Sequence, residues 1–193
     1  MKITLCLLVI LGLNGCQQLK KNLQSLEDYK NQIFPLAGNW GWTYKVVTFG
    51  GMTSAPCLQG LVRRTVLGST LLANRTATLM SPICAPAGAA NSPYSVTGDQ
   101  VWQWNGSEWI SYLDAPLTDG RSFFSGLQIF TWFRPNSITV PAGTFTDCWT
   151  KKDSKSDSFE TFCRGIGLVA SYKIDVFGNG WKASLERISG PVL

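Results

Sequence analysis

The sequence predicts an all-β domain on the basis of two features, its residue composition and its apolar alternation. From Pro35 onward, short runs rich in Val, Thr, Trp, Tyr and Phe alternate with Gly, Pro, Asn and Ser, which is typical of strands joined by tight turns. Within residues 40–46 every second side chain is large and apolar, which indicates a strand with one buried face. No second stretch has helical length and spacing, so we expect an antiparallel sheet that curls on itself or packs in two layers.

One hairpin is predicted by the dipeptide Asn105-Gly106, whose two residues favour a type I′ turn. This turn would place Trp104 beside the loop and Trp102 opposite Trp109, within cross-strand contact distance. We therefore expect these three indoles to lie close together on one hairpin.

Other turn signals predict three further hairpins. The polar run at residues 153–158 joins two strands, and Gly-Asn-Gly at residues 178–180 joins the last two. Gly-Ser at residues 68–69 predicts a turn between strands at residues 61–66 and 70–79.

The N-terminal region predicts export. Lys2 supplies a positive charge, residues 3–13 form an apolar segment too short to span a bilayer, and Gly15 is a small residue directly before Cys16. Residues 13–16 resemble the lipobox of bacterial lipoproteins. That resemblance implies a signal peptide at residues 1–15 and a Cys16 that carries diacylglycerol and an N-acyl chain such as palmitate. The alternative is an ordinary secretory signal in which Cys16 is incidental.

Localisation follows from the same resemblance. Gln17, rather than Asp, follows Cys16, which in Gram-negative lipoproteins implies the outer membrane. We therefore expect a protein of the cell envelope, anchored in the outer membrane and facing the periplasm. Residues 16–33 would form a tether, either flexible or folded as a short amphipathic helix, because apolar side chains recur at spacings of three and four up to Ile33. The β domain would span residues 34–193.

Four cysteines remain for disulfide bonds after export. The polar run at residues 153–158 lies midway between Cys148 and Cys163, as expected for cross-strand partners, and Cys57 with Cys84 follows by elimination. The chain contains no histidine and its cysteines are widely spaced, so we predict no zinc site and no other metal.

Charge and composition argue against two function classes. The net charge is +5, and the basic pairs at residues 63–64 and 151–152 lack interleaved aromatic residues, so we assign them to solvated strands and loops and predict no nucleic-acid partner. The absence of histidine excludes Ser-His-Asp chemistry. Asp114 and Asp119 are the one local carboxylate pair that we single out, but their Pro and Gly neighbours favour a role in turns. We predict no enzyme and no cofactor.

Three segments resemble a set of bacterial envelope lipoproteins and exported proteins. Residues 34–44 contain the Pro-Leu, Gly-Asn and Trp-x-Tyr elements of that set, residues 140–148 enter a strand through a Pro and Gly bend, and residues 165–169 read Gly-Ile-Gly-Leu-Val. The resemblance implies a curved antiparallel sheet, as an open or half barrel. It implies no reaction.

Aromatic residues are the candidate ligand-binding groups. Exposed indoles of Trp102, Trp104 and Trp109 would stack on sugars, whereas the alternative places Trp102 and Trp109 as a core pair. The run at residues 127–133, with Phe130 and Trp132, is apolar on both sides of its strand. It is therefore either a central strand covered twice or the wall of an apolar cavity.

The sequence thus predicts a membrane-anchored, non-enzymatic lipoprotein with a structural or binding role in the cell envelope. One alternative is a half-barrel carrier or sensor of an apolar, lipid-like ligand, which requires a cavity lined by residues 127–133. A second is a glycan-binding module, which requires two coplanar exposed indoles. The expected partners are the membrane and an apolar ligand, a glycan or an envelope protein.

Overall fold

The computed structural model describes residues 29–36, 40–50, 57, 59–84 and 89–189. The predicted signal peptide, Cys16, most of the tether and residues 190–193 lie outside these ranges. Within the described ranges, no helix has both the length and the apolar character that crossing a membrane requires.

The described residues form fourteen strands. In chain order they are β1 (Gly41–Phe49), β2 (Gly60–Leu72), β3 (Arg75–Met80), β4 (Ser92–Thr97), β5 (Gln100–Trp104), β6 (Trp109–Leu113), β7 (Ser122–Ser125), β8 (Gln128–Phe133), β9 (Ile138–Val140), β10 (Gly143–Phe145), β11 (Cys148–Asp153), β12 (Phe159–Cys163), β13 (Gly167–Ile174) and β14 (Gly180–Ser189).

Twelve of these strands form one antiparallel sheet in the order β6-β5-β4-β3-β2-β1-β14-β13-β12-β11-β8-β7. The sheet nearly closes into a barrel, with one unsealed seam where the edge strands β6 and β7 approach each other. The predicted all-β class and curved antiparallel sheet are confirmed, and the curvature goes almost to closure. The remaining strands, β9 and β10, form a separate hairpin beside β14.

The β5–β6 hairpin forms where predicted, but its predicted register is wrong. Trp104 pairs with Trp109, and Trp102 pairs two residues further along β6. The Asn105 side chain accepts hydrogen bonds from the backbone amides two and three residues ahead, both at 2.9 Å, and so closes a four-residue loop instead of a two-residue turn.

The predicted turn at residues 68–69 is also wrong. Strand β2 continues to Leu72, and Gly68, with φ of +133°, lies at a β-bulge, where the register with β3 shifts. The turn falls instead at Ala73 and Asn74, whose φ values of 45° and 62° are left-handed. The hairpins predicted around residues 153–158 and 178–180 are confirmed as β11–β12 and β13–β14. Strand β13 ends at Ile174, before the predicted turn residues.

Two disulfide bonds stabilise the barrel. Cys148 and Cys163 face each other across β11 and β12, and Cys57 is joined to Cys84. At the turn between β12 and β13, Gly165 donates its backbone amide to the Gln32 carbonyl at 2.8 Å, which ties the segment at residues 29–36 to the barrel.

Candidate functional site

Among the residues that the structure describes, three charged side chains are buried inside the barrel. Arg64 on β2, Lys151 on β11 and Glu160 on β12 are 4%, 2% and 7% exposed. Lys151 is directly opposite Glu160 in the strand register, so both side chains project from the same face of the sheet. The expectation that the basic pairs at residues 63–64 and 151–152 are solvated is therefore wrong for one member of each pair.

Glu160 is the anionic partner at this centre. Its Oε2 atom lies 2.8 Å from Lys151 Nζ, and its Oε1 atom lies 3.5 Å from Lys173 Nζ. Burial by itself would raise the pKa of Glu160, but Lys151 and Lys173 outweigh burial and lower the pKa to about 2. Glu160 is therefore ionised at neutral pH.

Lys151 is held by aromatic and backbone groups in addition to Glu160. Its Nζ atom donates a hydrogen bond to the Tyr112 carbonyl at 3.2 Å and lies 3.9 Å from the centre of the Tyr112 ring. It also lies 4.7 Å from the centre of the Phe130 ring. These cation–π contacts partly replace the water that burial removes.

Arg64, in contrast, has direct contacts only with neutral groups among the described residues, including Tyr44. It donates Nε to the Ser81 carbonyl at 3.3 Å and Nη2 to the Tyr94 hydroxyl at 3.1 Å, and its guanidinium lies over the rings of Phe34 and Tyr94. Among the described residues no carboxylate lies within 4.0 Å of the guanidinium. Burial raises the pKa of Tyr94 and Tyr112, so these phenols stay neutral and do not balance the charge.

A small inner cavity of about 130 Å³ lies at this centre. Its lining includes Arg64, Ser92, Tyr94, Glu160 and Trp181. At about 30 Å³ per water molecule, the cavity has room for about four waters or for a small polar group.

A larger cleft of about 730 Å³ opens beside the inner cavity, where the β7–β8, β11–β12 and β13–β14 turns meet. Leu127 and Val176 line it and are 98% and 91% exposed. Phe130 and Lys173 also line the cleft, and Trp181 lines both the cleft and the inner cavity. The volume lies within the range typical of small-molecule sites.

The predicted residues Phe130 and Trp132 both lie in the core, at 5% and 0% exposure. Trp132 donates its indole N–H to the Asp114 carbonyl at 3.0 Å and is part of the packed core. Phe130, together with Leu127 and Gln128, lines the cleft. Part of the run at residues 127–133 therefore forms a cavity wall.

The predicted tryptophans of the β5–β6 hairpin are partly exposed but not coplanar. Trp104 and Trp109 contact each other edge to face, with ring centres 5.6 Å apart and planes inclined by 66°. Arg75 lies 4.6 Å above the Trp102 ring. Trp104 and Trp109 therefore do not supply the two coplanar indoles that stacking on a sugar requires.

A third concavity lies on the outer surface of the barrel. It has a volume of about 820 Å³ and is lined by Phe133, Ile138, Phe159 and Tyr172. Tyr172 is stacked on Phe159 at 5.7 Å and on Phe49 at 5.3 Å. Because Phe159 and Glu160 are adjacent on β12, their side chains project to opposite faces, so this groove is separate from the charged centre.

The loop carboxylates have structural partners. Asp114 forms an ion pair with Arg121, and Asp119 accepts a hydrogen bond from the Arg134 backbone amide at 2.9 Å. In the part of the chain that the structure describes, no group of three or more His, Cys, Asp or Glu is placed to hold a metal ion.

Taken together, the fold and site define an all-β protein with a nearly closed barrel and a charged interior. No protein-family model matches the sequence, and no curated protein matches it. Among solved structures, it is similar to a "putative exported protein with YmcC-like fold" from Bacteroides fragilis, with 14% identity, a TM-score of 0.48 and coverage of 81% of this chain and 98% of the other. It is also similar to a "putative lipoprotein" from Parabacteroides distasonis, with 14% identity, a TM-score of 0.47 and the same coverage. At these values the similarity defines neither a family nor a function for this chain.

Proposed function

We propose that the protein is a non-enzymatic, lipid-anchored component of the bacterial cell envelope whose barrel binds an apolar ligand in the cleft beside the charged centre. The anchoring part of the proposal rests on the lipobox-like residues 13–16 and on acylation of Cys16. The binding part rests on one observation. The cleft of about 730 Å³ has exposed Leu127 and Val176 at its rim and buried Phe130 in its wall.

Apolar side chains at the rim support binding over a purely structural role. Leu127 and Val176 lie on different hairpins and are almost completely exposed, yet both border the same cleft. Phe177, at the tip of the second hairpin, is 84% exposed and follows Val176 directly. An apolar ligand in the cleft would cover such side chains and remove their surface from water.

The binding proposal is tested with a fluorescent apolar probe, N-phenyl-1-naphthylamine. The mature chain, residues 16–193 with Cys16→Ser, is used, because without the apolar signal peptide and the acyl chains it needs no detergent. The rim variant Leu127→Glu/Val176→Glu should weaken probe binding at least about fivefold. The matched control Leu61→Glu/Leu71→Glu makes the same change at exposed positions of β2, where Leu61 and Leu71 are 71% and 73% exposed. Equal binding by both variants and the parent would exclude the cleft as the site.

Anchoring is tested separately. The wild-type protein should fractionate with membranes and carry acyl chains on Cys16, whereas a chain with Cys16→Ser behind an ordinary secretory signal in place of residues 1–15 should appear in the soluble fraction. A wild-type protein with an unmodified Cys16 would contradict this part of the proposal and would leave the cleft unaffected.

A further inference from the structure

We propose that Arg64 is an oxyanion-binding residue, and that the inner cavity receives the carboxylate or phosphate of a ligand whose apolar part occupies the cleft. This inference rests on the proposed function and specifies the chemistry of the ligand. The reasons are the balance of charge in the barrel, the position of the cavity and the donors that line it.

The charges inside the barrel do not balance. Arg64 and Lys151 are buried cations, whereas Glu160 is the one buried carboxylate among the described residues. Glu160 is already engaged by Lys151 at 2.8 Å and by Lys173 at 3.5 Å. A buried charge without an opposite charge is costly, and buried charges in proteins are usually paired. The interior therefore has a surplus of one positive charge: Glu160 also attracts Arg64, but its direct contacts are with Lys151 and Lys173.

The cavity lies where an anion would neutralise this surplus. Arg64 and Tyr94 both line it. The guanidinium has five N–H donors in a planar fork that matches a carboxylate or phosphate, and the Ser81 carbonyl and the hydroxyls of Tyr94 and Tyr44 engage three of them. The Tyr94 oxygen accepts hydrogen bonds from Arg64 and from Gln103 Nε2, and Ser92, which is hydrogen-bonded to Tyr94, adds a second hydroxyl to the cavity lining.

The two cavities are adjacent, so a ligand that fills both would carry an anionic head group and an apolar chain. Trp181 lines both the inner cavity and the cleft. Lys173 lines the cleft and contacts Glu160, which lines the inner cavity. A head group of about the size of the 130 Å³ cavity would thus continue into an apolar chain in the 730 Å³ cleft.

The experiment compares three probes on the mature chain, residues 16–193 with Cys16→Ser, by isothermal titration calorimetry, below the micelle concentration of dodecanoate and the solubility limit of dodecanol. Dodecanoate carries both the chain and the anion, dodecanol carries the chain alone, and inorganic phosphate is the free anion. We expect dodecanoate to bind at least about tenfold more tightly than dodecanol. Equal affinities would overturn the oxyanion site and leave the apolar cleft standing, whereas binding of neither amphiphile would overturn the proposed function itself. If phosphate binds, and dodecanoate binds no more tightly than phosphate, the oxyanion site is supported and is assigned to a free anion.

Variants locate the site. Arg64→Gln should lose the advantage of dodecanoate over dodecanol, while the control Arg75→Gln, which removes an exposed guanidinium from the Trp102 ring, should keep it. Should Arg64→Gln fail to fold, Tyr94→Phe is used instead, because it keeps the ring over the guanidinium and removes the hydroxyl. We expect this variant to bind dodecanoate about threefold more weakly than the parent does, with no change in its affinity for dodecanol. An unchanged preference for dodecanoate in the folded variants would overturn the assignment to Arg64.

Discussion

Replacement of Glu160 by Gln should destabilise the barrel strongly, because it removes the one buried carboxylate of the described residues and leaves Lys151 buried without its ionic partner. Glu160 is 7% exposed and accepts contacts from Lys151 at 2.8 Å and from Lys173 at 3.5 Å. Removing one partner of a buried ion pair typically costs about 3 to 5 kcal/mol, since the other charge stays buried without compensation. The low pKa of Glu160 gives a similar loss in the free energy of unfolding. A decrease from 4.5 to about 2 corresponds to about 3 kcal/mol, at about 1.4 kcal/mol for each tenfold change in proton affinity.

The assay is equilibrium unfolding in urea at pH 7 with both disulfides intact, for the parent chain and for Glu160→Gln. The matched control is Asp157→Asn, because Asp157 forms an exposed ion pair with Lys152 at 3.1 Å near the same turn, with side chains 82% and 44% exposed. Exposed pairs contribute about 0 to 1 kcal/mol, so the control should stay within about 1 kcal/mol of the parent. A similarly small effect of Glu160→Gln would refute the description of a buried, ion-paired carboxylate.

The same group predicts a pH dependence. The pKa of Glu160 is lower in the folded protein than in the unfolded chain, so the ionised form favours folding. This contribution is complete above the unfolded value of 4.5 and is lost as the pH falls toward about 2. Urea unfolding between pH 6 and pH 2 should show a steeper loss of stability for the parent than for Glu160→Gln. Parallel curves would contradict the assignment.

Three further predictions concern other parts of the molecule. The double variant Cys148→Ala/Cys163→Ala should lose about 3 kcal/mol in urea unfolding, the value expected for a loop of 15 residues, and a loss below about 1 kcal/mol would contradict that estimate. Phe34→Ala should lose about 3 to 5 kcal/mol in the same assay, because Phe34 is 2% exposed, and a near-neutral result would show that residues 29–36 do not belong to the folded domain. Leu127→Ser should change stability by less than about 0.5 kcal/mol, because Leu127 is 98% exposed, and a larger loss would show that it packs in the core.

Local sequence signals predicted the class of the fold well, because alternation and turn residues act over a few positions. The run of alternating apolar side chains at residues 40–46 overlaps β1, and the polar turn at residues 153–158 joins β11 to β12. Register was harder to predict. Asn105 closes a longer loop through its side chain, and Gly68 accommodates a bulge instead of a turn. A glycine or asparagine signals an unusual backbone but does not say which kind.

The charged centre could not be predicted, because its members come together only through the closed sheet. Arg64 and Lys151 each stand beside a second basic residue, a pattern typical of solvated strands. Strand alternation sends one member of each pair inward, but the side of the sheet that becomes the interior depends on long-range pairing. One local signal could have indicated the pair: Lys151 and Glu160 lie at equal distances from the middle of the polar turn, and the register places them opposite each other.

The most direct test of a lipid-anchored binding protein is native mass spectrometry of the wild-type chain, released from membranes with a styrene–maleic acid copolymer instead of detergent. We expect a protein acylated at Cys16 that carries, in addition, a noncovalent mass increment that tandem dissociation identifies as an acidic amphiphile. The fraction of protein carrying that increment should be smaller in Leu127→Glu/Val176→Glu than in Leu61→Glu/Leu71→Glu. An unmodified Cys16 together with an empty barrel would contradict both halves of the account.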